Sequence, residues 1–203
     1  TVTNLYDIVC KKPMTDIKLV SAVGGGKMSR ELELEQLAID LEAAQVQYDP
    51  SNYAGIIARF SNSGPAILIY RSGSFSISGA KSLKDLRETF DKFENKMQIL
   101  LGEINYEVEF ESRNLVHRAE VSTNEMETPL NLNMLVIGLK IENVEYEPEQ
   151  FPGLMYRPPD LPGLYLVFSS GALVSTGHSD PDTALRGIEE VSNRILKLLN
   201  TIE

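Results

Sequence analysis

Residues 48–82 read YDPSNYAGIIARFSNSGPAILIYRSGSFSISGAKS, and residues 146–180 read YEPEQFPGLMYRPPDLPGLYLVFSSGALVSTGHSD. The two stretches are one pattern written twice. A constant offset of 98 residues pairs Tyr48 with Tyr146, Pro50 with Pro148, Gly55 with Gly153, Arg59 with Arg157 and Gly79 with Gly177. The same offset pairs Leu32, Leu34, Leu37, Ile39 and Leu41 with Leu130, Leu132, Leu135, Ile137 and Leu139, and it runs on to Leu100-Leu101 and Leu198-Leu199. About a quarter of positions 32–101 repeat identically, against roughly a twentieth by chance. Two long copies do not make a solenoid, which stacks three or more short units. The chain is therefore read as a pseudo-two-fold protein: residues 1–13 as an extension, 14–104 as one repeat and 105–203 as the other.

Each copy carries the same order of elements. An apolar strand opens it, at 17–23 and 107–121. A helix follows near 32–41 and 130–139. Four short strands with Gly-rich turns come next, in the first copy near 44–48, 55–61, 65–71 and 74–78. A long helix closes each copy. In the first, Leu83, Leu86, Phe90, Phe93, Met97 and Leu100 recur every three or four residues and form one face, with Ser82 as N-cap and Asp85 three residues on. In the second, Ala184, Ile188, Val191, Ile195 and Leu198 do the same, with Asp180 as cap and Pro181 at the first helical position. The strand AILIY at 66–70 is apolar on both sides, Ile67 and Ile69 facing one way and Leu68 and Tyr70 the other. Leu166, Phe168, Val174 and Thr176 form the matching outward set in the second copy. Amphipathic helices cover one face of such a sheet, so a broad, charge-poor second face is left for a dimer partner, a further core layer or an elongated ligand.

Composition narrows the function. The chain has 203 residues, 42% hydrophobic and 24% charged, as an ordinary globular protein does. A net charge of −10 argues against nucleic-acid binding by bulk electrostatics alone. Cys10 is the single cysteine, which fits a reducing compartment. No apolar run reaches the roughly 18–20 residues of a membrane helix, and the first residues lack a signal-peptide pattern; a cytoplasmic location is expected. GGGKMS at 24–29 lacks the glycine and hydroxyl of a phosphate loop and reads as a strand-to-helix loop. His117 and His178 are read as lying in separate copies, each with no second histidine, and HSDPD at 178–182 reads as a helix cap. No metal site, cofactor or nucleophile–base pair is expected, and the protein is read as a non-enzyme.

YEPEQFPGLMYRPPDLPGLYLVFSSGALVSTG, together with the repeat, resembles the TATA-box-binding protein family in its archaeal form, over about residues 16–200. The resemblance implies an α+β saddle: one curved ten-stranded antiparallel sheet with four helices on the convex face. It implies that the concave face binds the minor groove of A·T-rich double-stranded promoter DNA and bends it. Transcription factor B is then recruited directly and RNA polymerase indirectly, and a homodimer forms off DNA. Residue by residue, the apolar wedges of the second copy are Phe151 and Phe168, with Asn114, Val116, Leu166, Val174 and Thr176 lining the groove. In the first copy the corresponding residues are Lys18, Val20, Tyr53, Leu68, Tyr70, Ser76 and Ser78. Arg59 and Arg157 are the phosphate contacts. The basic residue expected after each Ser-Gly is Ser74 or Ala172, and Lys81 is matched by Ser179, which leaves a thin phosphate-binding set. The stirrup EPEQFPGL supplies Glu147, Glu149, Phe151 and Leu154 for transcription factor B. The alternative is a diverged paralogue that works mainly through protein contacts, with weak or non-TATA DNA binding. A third class is an apolar-faced homodimer with no nucleic-acid role.

Overall fold

A computed structural model describes residues 14–102, 107–121 and 129–200. Strands β1 (Met14–Met28), β2 (Gln45–Gln47), β3 (Gly55–Arg59), β4 (Ala66–Tyr70) and β5 (Ser74–Ala80) precede β6 (Val108–Val121), β7 (Val144–Glu145), β8 (Leu154–Tyr156), β9 (Leu164–Val167) and β10 (Ala172–His178). Helices α1 (Leu34–Asp40), α2 (Leu83–Leu101), α3 (Leu132–Gly138) and α4 (Pro181–Asn200) are interleaved with them. The strands hydrogen-bond in the order β2-β3-β4-β5-β1-β6-β10-β9-β8-β7. This is the expected ten-stranded antiparallel sheet with four helices. Among the described residues no helix is long and apolar enough to cross a membrane.

Two compact units divide the chain. One is Leu19–Leu115; the other joins the start of β1, up to Lys18, with Val116 onward. The boundary falls inside β1 and β6, so each unit holds one repeat and a piece of both long strands.

The first-repeat unit is built on phenyl rings and aliphatics. Ile56, Ile67, Ile69, Phe75 and Ile77 point from β3, β4 and β5 into one core with Phe90, Phe93 and Met97 of α2. Phe110 of β6 stacks on Phe90 at 4.0 Å between ring centroids. Ser82 caps α2 by accepting from the Asp85 amide at 3.0 Å, and the Asp85 carboxylate accepts from the Lys81 amide at 3.0 Å. This reciprocal pair satisfies two amides at the helix start. Leu83 is the exception on the predicted face: at the first helical position it is 39% exposed.

GGGKMS is not a loop. Gly24 to Met28 continue β1, and Gly24, Gly25, Gly26 and Lys27 pair with Ile77, Ser76, Phe75 and Ser74 of β5. The glycines are there for space. A Cβ on Gly24 would lie 2.7 Å from the Phe110 ring, one on Gly25 would lie 2.7 Å from Arg113, and one on Gly26 would lie 1.9 Å from the Glu109 carbonyl oxygen. The loop begins only after Met28.

The second-repeat unit has the same frame with a more polar core. Leu154, Tyr156, Tyr165, Val167 and Leu173 face Ile188, Val191 and Ile195 of α4. Tyr165 stands where the first repeat has Ile67, and its hydroxyl donates to the Pro162 carbonyl at 3.0 Å. That hydroxyl requires Gly187 on α4, where a Cβ would lie 2.0 Å from it. Asp180 caps α4 as expected, accepting from the Thr183 amide at 2.7 Å.

His117 and His178 belong to this same unit, 4% and 3% exposed, and near enough to repel each other as cations. This corrects the reading that placed them in separate copies: both fall in the unit from Val116 onward, and β6 and β10 are neighbours in the sheet. Burial pushes the pKa of both imidazoles down from 6.5, so they stay neutral near pH 7. Among the described residues no three His, Cys, Asp or Glu side chains gather as a metal site.

Candidate nucleic-acid interface

Each unit leaves one sheet face uncovered by its helices. In the first-repeat unit the pairing sets a row across that face: Gln47 opposite Ile57, Ile57 opposite Leu68, Leu68 opposite Ser76, and Ser76 opposite Gly25. The second-repeat unit has Glu145 opposite Met155, Met155 opposite Leu166, and Leu166 opposite Val174, with Leu164 opposite Thr176. Ile57, Leu68 and Ser76 become Met155, Leu166 and Val174 at the 98-residue offset. Ser78 lies opposite Ala66 on the same face. Alternation carries the neighbouring residues Ile56, Ile67, Ile69 and Ile77 into the core, while Ile57, Leu68, Ser76, Met155, Leu166 and Val174 are half-buried and Gln47 and Glu145 at the row ends are exposed. Ile57 and Met155 fill the middle of the two rows and were missed in the sequence. Alternation within GIIAR, counted from Arg59, locates Ile57.

At the end of each face sits an aromatic pair. Tyr53 and Tyr70 lie 6.0 Å apart between centroids, Phe151 and Phe168 lie 5.8 Å apart. A glycine underlies each pair. A Cβ on Gly55 would meet the Tyr53 ring at 3.1 Å, and one on Gly153 would meet the Phe151 ring at 2.7 Å. The repeated glycine therefore seats the rings. The two tyrosine hydroxyls hydrogen-bond to each other, and this bond pushes the Tyr53 phenol pKa up.

On the long strands the hydrogen-bond register differs from the equivalence of Lys18 with Asn114. Met28 donates its amide to the Gly73 carbonyl at 3.0 Å, and Val121 donates to the Gly171 carbonyl at 2.8 Å. Gly73 and Gly171 are repeat partners, so Met28 corresponds to Val121. Counting back, Asn114 and Val116 stand where the first repeat has Ser21 and Val23, both half-buried. Between these residues and the paired Leu32 and Leu130 the sequence spacing differs by five residues, so neither the 98-residue offset nor the Lys18–Asn114 equivalence holds along β1 and β6. Lys18 and Val20 lie earlier on β1. Ile17 and Leu19, which alternate with them, pack against the cores, so Lys18 and Val20 are exposed, Val20 by 44%. Lys18 falls in the second-repeat unit and Asn114 in the first.

Three arginines of the open faces lie beside acids. Arg113 has Glu111 at 3.8 Å, Arg118 has Glu120 at 3.7 Å, and Arg157 has Glu145 at 3.6 Å. Arg59 instead donates to the Gly64 carbonyl at 2.6 Å and ties down its own hairpin.

In the stirrup, Glu147 and Glu149 are exposed and Phe151 half-buried. The Glu147 carbonyl accepts from the amides of Gln150 and Phe151, both at 2.9 Å, and its carboxylate accepts from the Gln150 side chain. Leu154 corrects the expectation of a partner contact. It is 0% exposed, packed in the core at the start of β8, because the chain turns inward after Gly153.

A duplicated α+β unit with ten antiparallel strands, four helices and paired aromatics on each open face defines a class of two-repeat sheet proteins. The model of the family described as transcription factor TFIID, or TATA-binding protein, matches residues 16–100 and again 114–198. The chain is 37% identical over 183 residues to TATA-box-binding protein C of Halobacterium salinarum, covering 90% of this chain and 99% of that one. It is 38% identical over 186 residues to the TATA-box-binding protein of Natronomonas pharaonis, covering 92% and 96%. The solved structure of Methanococcus jannaschii TBP superposes with a TM-score of 0.73 at 31% identity, covering 90% of this chain and 99% of that one. The chain belongs to the TATA-binding protein family, a family of transcription factors and not of enzymes.

Proposed function

We propose that this protein is a transcription initiation factor that binds the minor groove of A·T-rich promoter DNA through its two open faces, bends it, and presents the stirrup at 147–151 to transcription factor B, with RNA polymerase engaged through that factor. The observation that carries the reading is the aromatic pair on each open face, seated on a repeated glycine. The minor groove offers mostly acceptors and a degenerate code. A face of Leu68, Leu166, Val116, Val174 and Ile57, with Ser21, Ser76, Ser78, Thr176 and Asn114 among them, suits that groove. Apolar rings at its ends suit the opening of base steps. Val23 joins this set through the register of β1, Lys18 and Val20 flank it, and Arg59 and Arg157 are its phosphate contacts. A homodimer through the same faces is the proposed resting state off DNA.

The test is a mobility shift with an A·T-rich promoter fragment and a G·C-rich control across a salt series, with and without transcription factor B. Preferential binding of the A·T-rich fragment and a supershift with the factor are expected. Equal binding of both fragments sinks the minor-groove reading. Glu147→Arg with Glu149→Arg is expected to abolish the supershift while leaving the melting temperature and DNA binding in place, since both carboxylates are exposed. A normal supershift with both charges reversed would show that the partner site lies elsewhere.

The second reading, a paralogue that works mainly through protein contacts, draws on the carboxylates beside Arg113, Arg118 and Arg157. It predicts a supershift or pull-down with transcription factor B and no A·T preference.

A further inference from the structure

We propose that Arg113 is a base-edge reader of the minor groove: its guanidinium, laid across Gly25 on the open face of the first-repeat unit, donates to the acceptors of A·T pairs beneath that unit. This rests on the groove-binding function proposed above. Gly25 pairs with Ser76, on the open side of the sheet. Its neighbours face the other way: a Cβ on Gly24 would meet Phe110 and Leu86, and one on Gly26 would meet Phe75, all of the first-repeat core. A Cβ on Gly25 would fall 2.7 Å from both Nε and Cζ of Arg113. The guanidinium therefore occupies the place of a side chain on β1, and only glycine leaves it that bed.

β6 delivers the arginine through a break in its alternation. Phe110 and Leu115 both pack into the first-repeat core, yet they are an odd number of residues apart, which strict alternation forbids. One extra residue lies between them, as in a β-bulge, a device that re-aims a side chain. Arg113 and Asn114 thereby share the open face. The Arg113 side chain is 53% exposed, and the Glu111 carboxylate stands 3.8 Å from its Nε, too far for a hydrogen bond. Exposed pairs of this kind contribute little. A cavity of about 310 Å³ borders the guanidinium, between Gly25, Gly26 and Lys27 on β1 and Glu111 on β6, so it has room to turn toward a ligand.

Arginine offers five donors and no acceptor. In the minor groove A·T pairs show only acceptors, while G·C adds an amino donor. The guanidinium is thus matched to A·T and opposed by the guanine amino group, and the narrow, negative groove of A-tracts attracts it further. The register that matches Met28 with Val121 puts Val20 in the place of Arg113 and Arg118 in the place of Gly25. Valine has no donor, and Arg118 carries a side chain of its own where the bed would be. The reader is therefore present in one half only. A phosphate contact would need neither the glycine nor the extra residue of β6.

The experiment is an affinity scan of an A·T-rich fragment in which each pair in turn is replaced by G·C or by inosine·C, which keeps the groove acceptors and lacks the amino group. Arg113→Ala, at the native melting temperature, is expected to relax the G·C penalty at one or two adjacent steps by at least about fivefold and to leave the other steps unchanged. At those steps the native chain should tolerate inosine·C better than G·C. Arg113→Lys keeps the charge and loses the planar fork; Gly25→Ala keeps every charge and removes the bed. Both should relax the same steps. The inference is overturned if Arg113→Ala weakens all fragments uniformly, the signature of a phosphate contact, or if inosine·C and G·C are penalised equally at those steps. It is also overturned if either Arg113→Lys or Gly25→Ala retains the native pattern. A native chain with no A·T preference at any step would sink the groove-binding function as well. A native preference that survives intact in Arg113→Ala would sink this inference alone.

Discussion

The Tyr53–Tyr70 pair and the Phe151–Phe168 pair have nearly the same geometry, with ring planes inclined at 56° and 66°. They differ by two oxygen atoms. In the second repeat the rings present carbon alone, so separating them against a base step strands no polar group. In the first repeat each hydroxyl is satisfied by the other, and prising the rings apart breaks that bond. A hydroxyl buried without a partner costs about 1–3 kcal/mol. The aromatic pair holds the same position in both halves and is fully apolar in one, so on the proposed function the second repeat is expected to dominate the kink.

The largest effect should come from removing the stronger pair. Phe151→Ala with Phe168→Ala is expected to abolish most bending, read by fluorescence transfer between labelled DNA ends. It should cost at least about 2 kcal/mol in affinity, roughly 30-fold. Tyr53→Ala with Tyr70→Ala should cost clearly less in both readouts. Equal losses would make the halves equivalent wedges and end the asymmetry.

The halves should also part in acid. The second-repeat core buries His117 and His178, where the first has Gly24 and Ala80. Both imidazoles have folded pKa values below 6.5 because burial disfavours their charged forms. The unfolded chain regains the ordinary value and binds more protons, so their contribution to stability is whole above about pH 7. It is lost as the pH falls through 6.5 toward the folded values, with a slope of at most about 1.4 kcal/mol per pH unit for each histidine. Hydrogen exchange between about pH 7 and pH 5 should show protection falling in β10 and α4 before β5 and α2. His117→Asn with His178→Asn should flatten that slope. The exposed Asp49, Asp160 and Asp180 carboxyls, held low by hydrogen bonds from Ser51, Arg194 and Thr183, lose theirs only in stronger acid. Uniform loss across both halves would show that the histidines do not set the acid limit.

Much of this was legible in the sequence, for identifiable reasons. The repeat fixed the element order, and period-two alternation in AILIY placed Leu68 and Tyr70 outward. Other features depend on what lies across a strand pair. Gly24 to Gly26 look like a loop until Phe110, Arg113 and the Glu109 carbonyl are seen against them. Leu154 looks like part of an exposed motif until the turn at Gly153 sends it inward. Ser21 and Val23 were hidden because unequal sequence spacing breaks the constant offset, and only the equivalent hydrogen bonds, Met28 amide to Gly73 carbonyl and Val121 amide to Gly171 carbonyl, restore the register. The acids beside the open-face arginines were visible as letters. As pairs they required coordinates.

Those pairs set the next prediction. Each phosphate contact contributes about −0.9 to the slope of log affinity against log salt. With Arg113, Arg118 and Arg157 each beside a carboxylate, the native slope should be shallow, or reversed if cations must bridge protein and DNA. Glu111→Gln in the first half and Glu145→Gln in the second should each free one arginine and steepen the slope by about 0.9, or about threefold in affinity over a fourfold change of salt. A native slope matching six or more phosphate contacts would contradict the pairing argument. Steepening by one variant only would say which half grips the backbone.

The smallest effect, and the most informative about the tyrosines, should come from Tyr53→Phe with Tyr70→Phe. In the free protein the two hydroxyls satisfy each other. Removing both at once leaves no orphan, and such paired removals are close to neutral for stability. On DNA the native hydroxyls either stay bonded to each other, holding the rings together and limiting the wedge, or separate at a cost. The double variant escapes both and turns the first repeat into a copy of the second. Affinity is therefore expected to be equal or improved, within about threefold, and the bend to increase. Tyr53→Phe alone strands the Tyr70 hydroxyl and should bind no better than the native protein. If the double variant weakens binding by more than about tenfold, about 1.4 kcal/mol, the hydroxyls make contacts of their own in the groove. The tyrosine pair would then be a reader of the sugar or base edge, and the two halves would be specialised for different ends of the site.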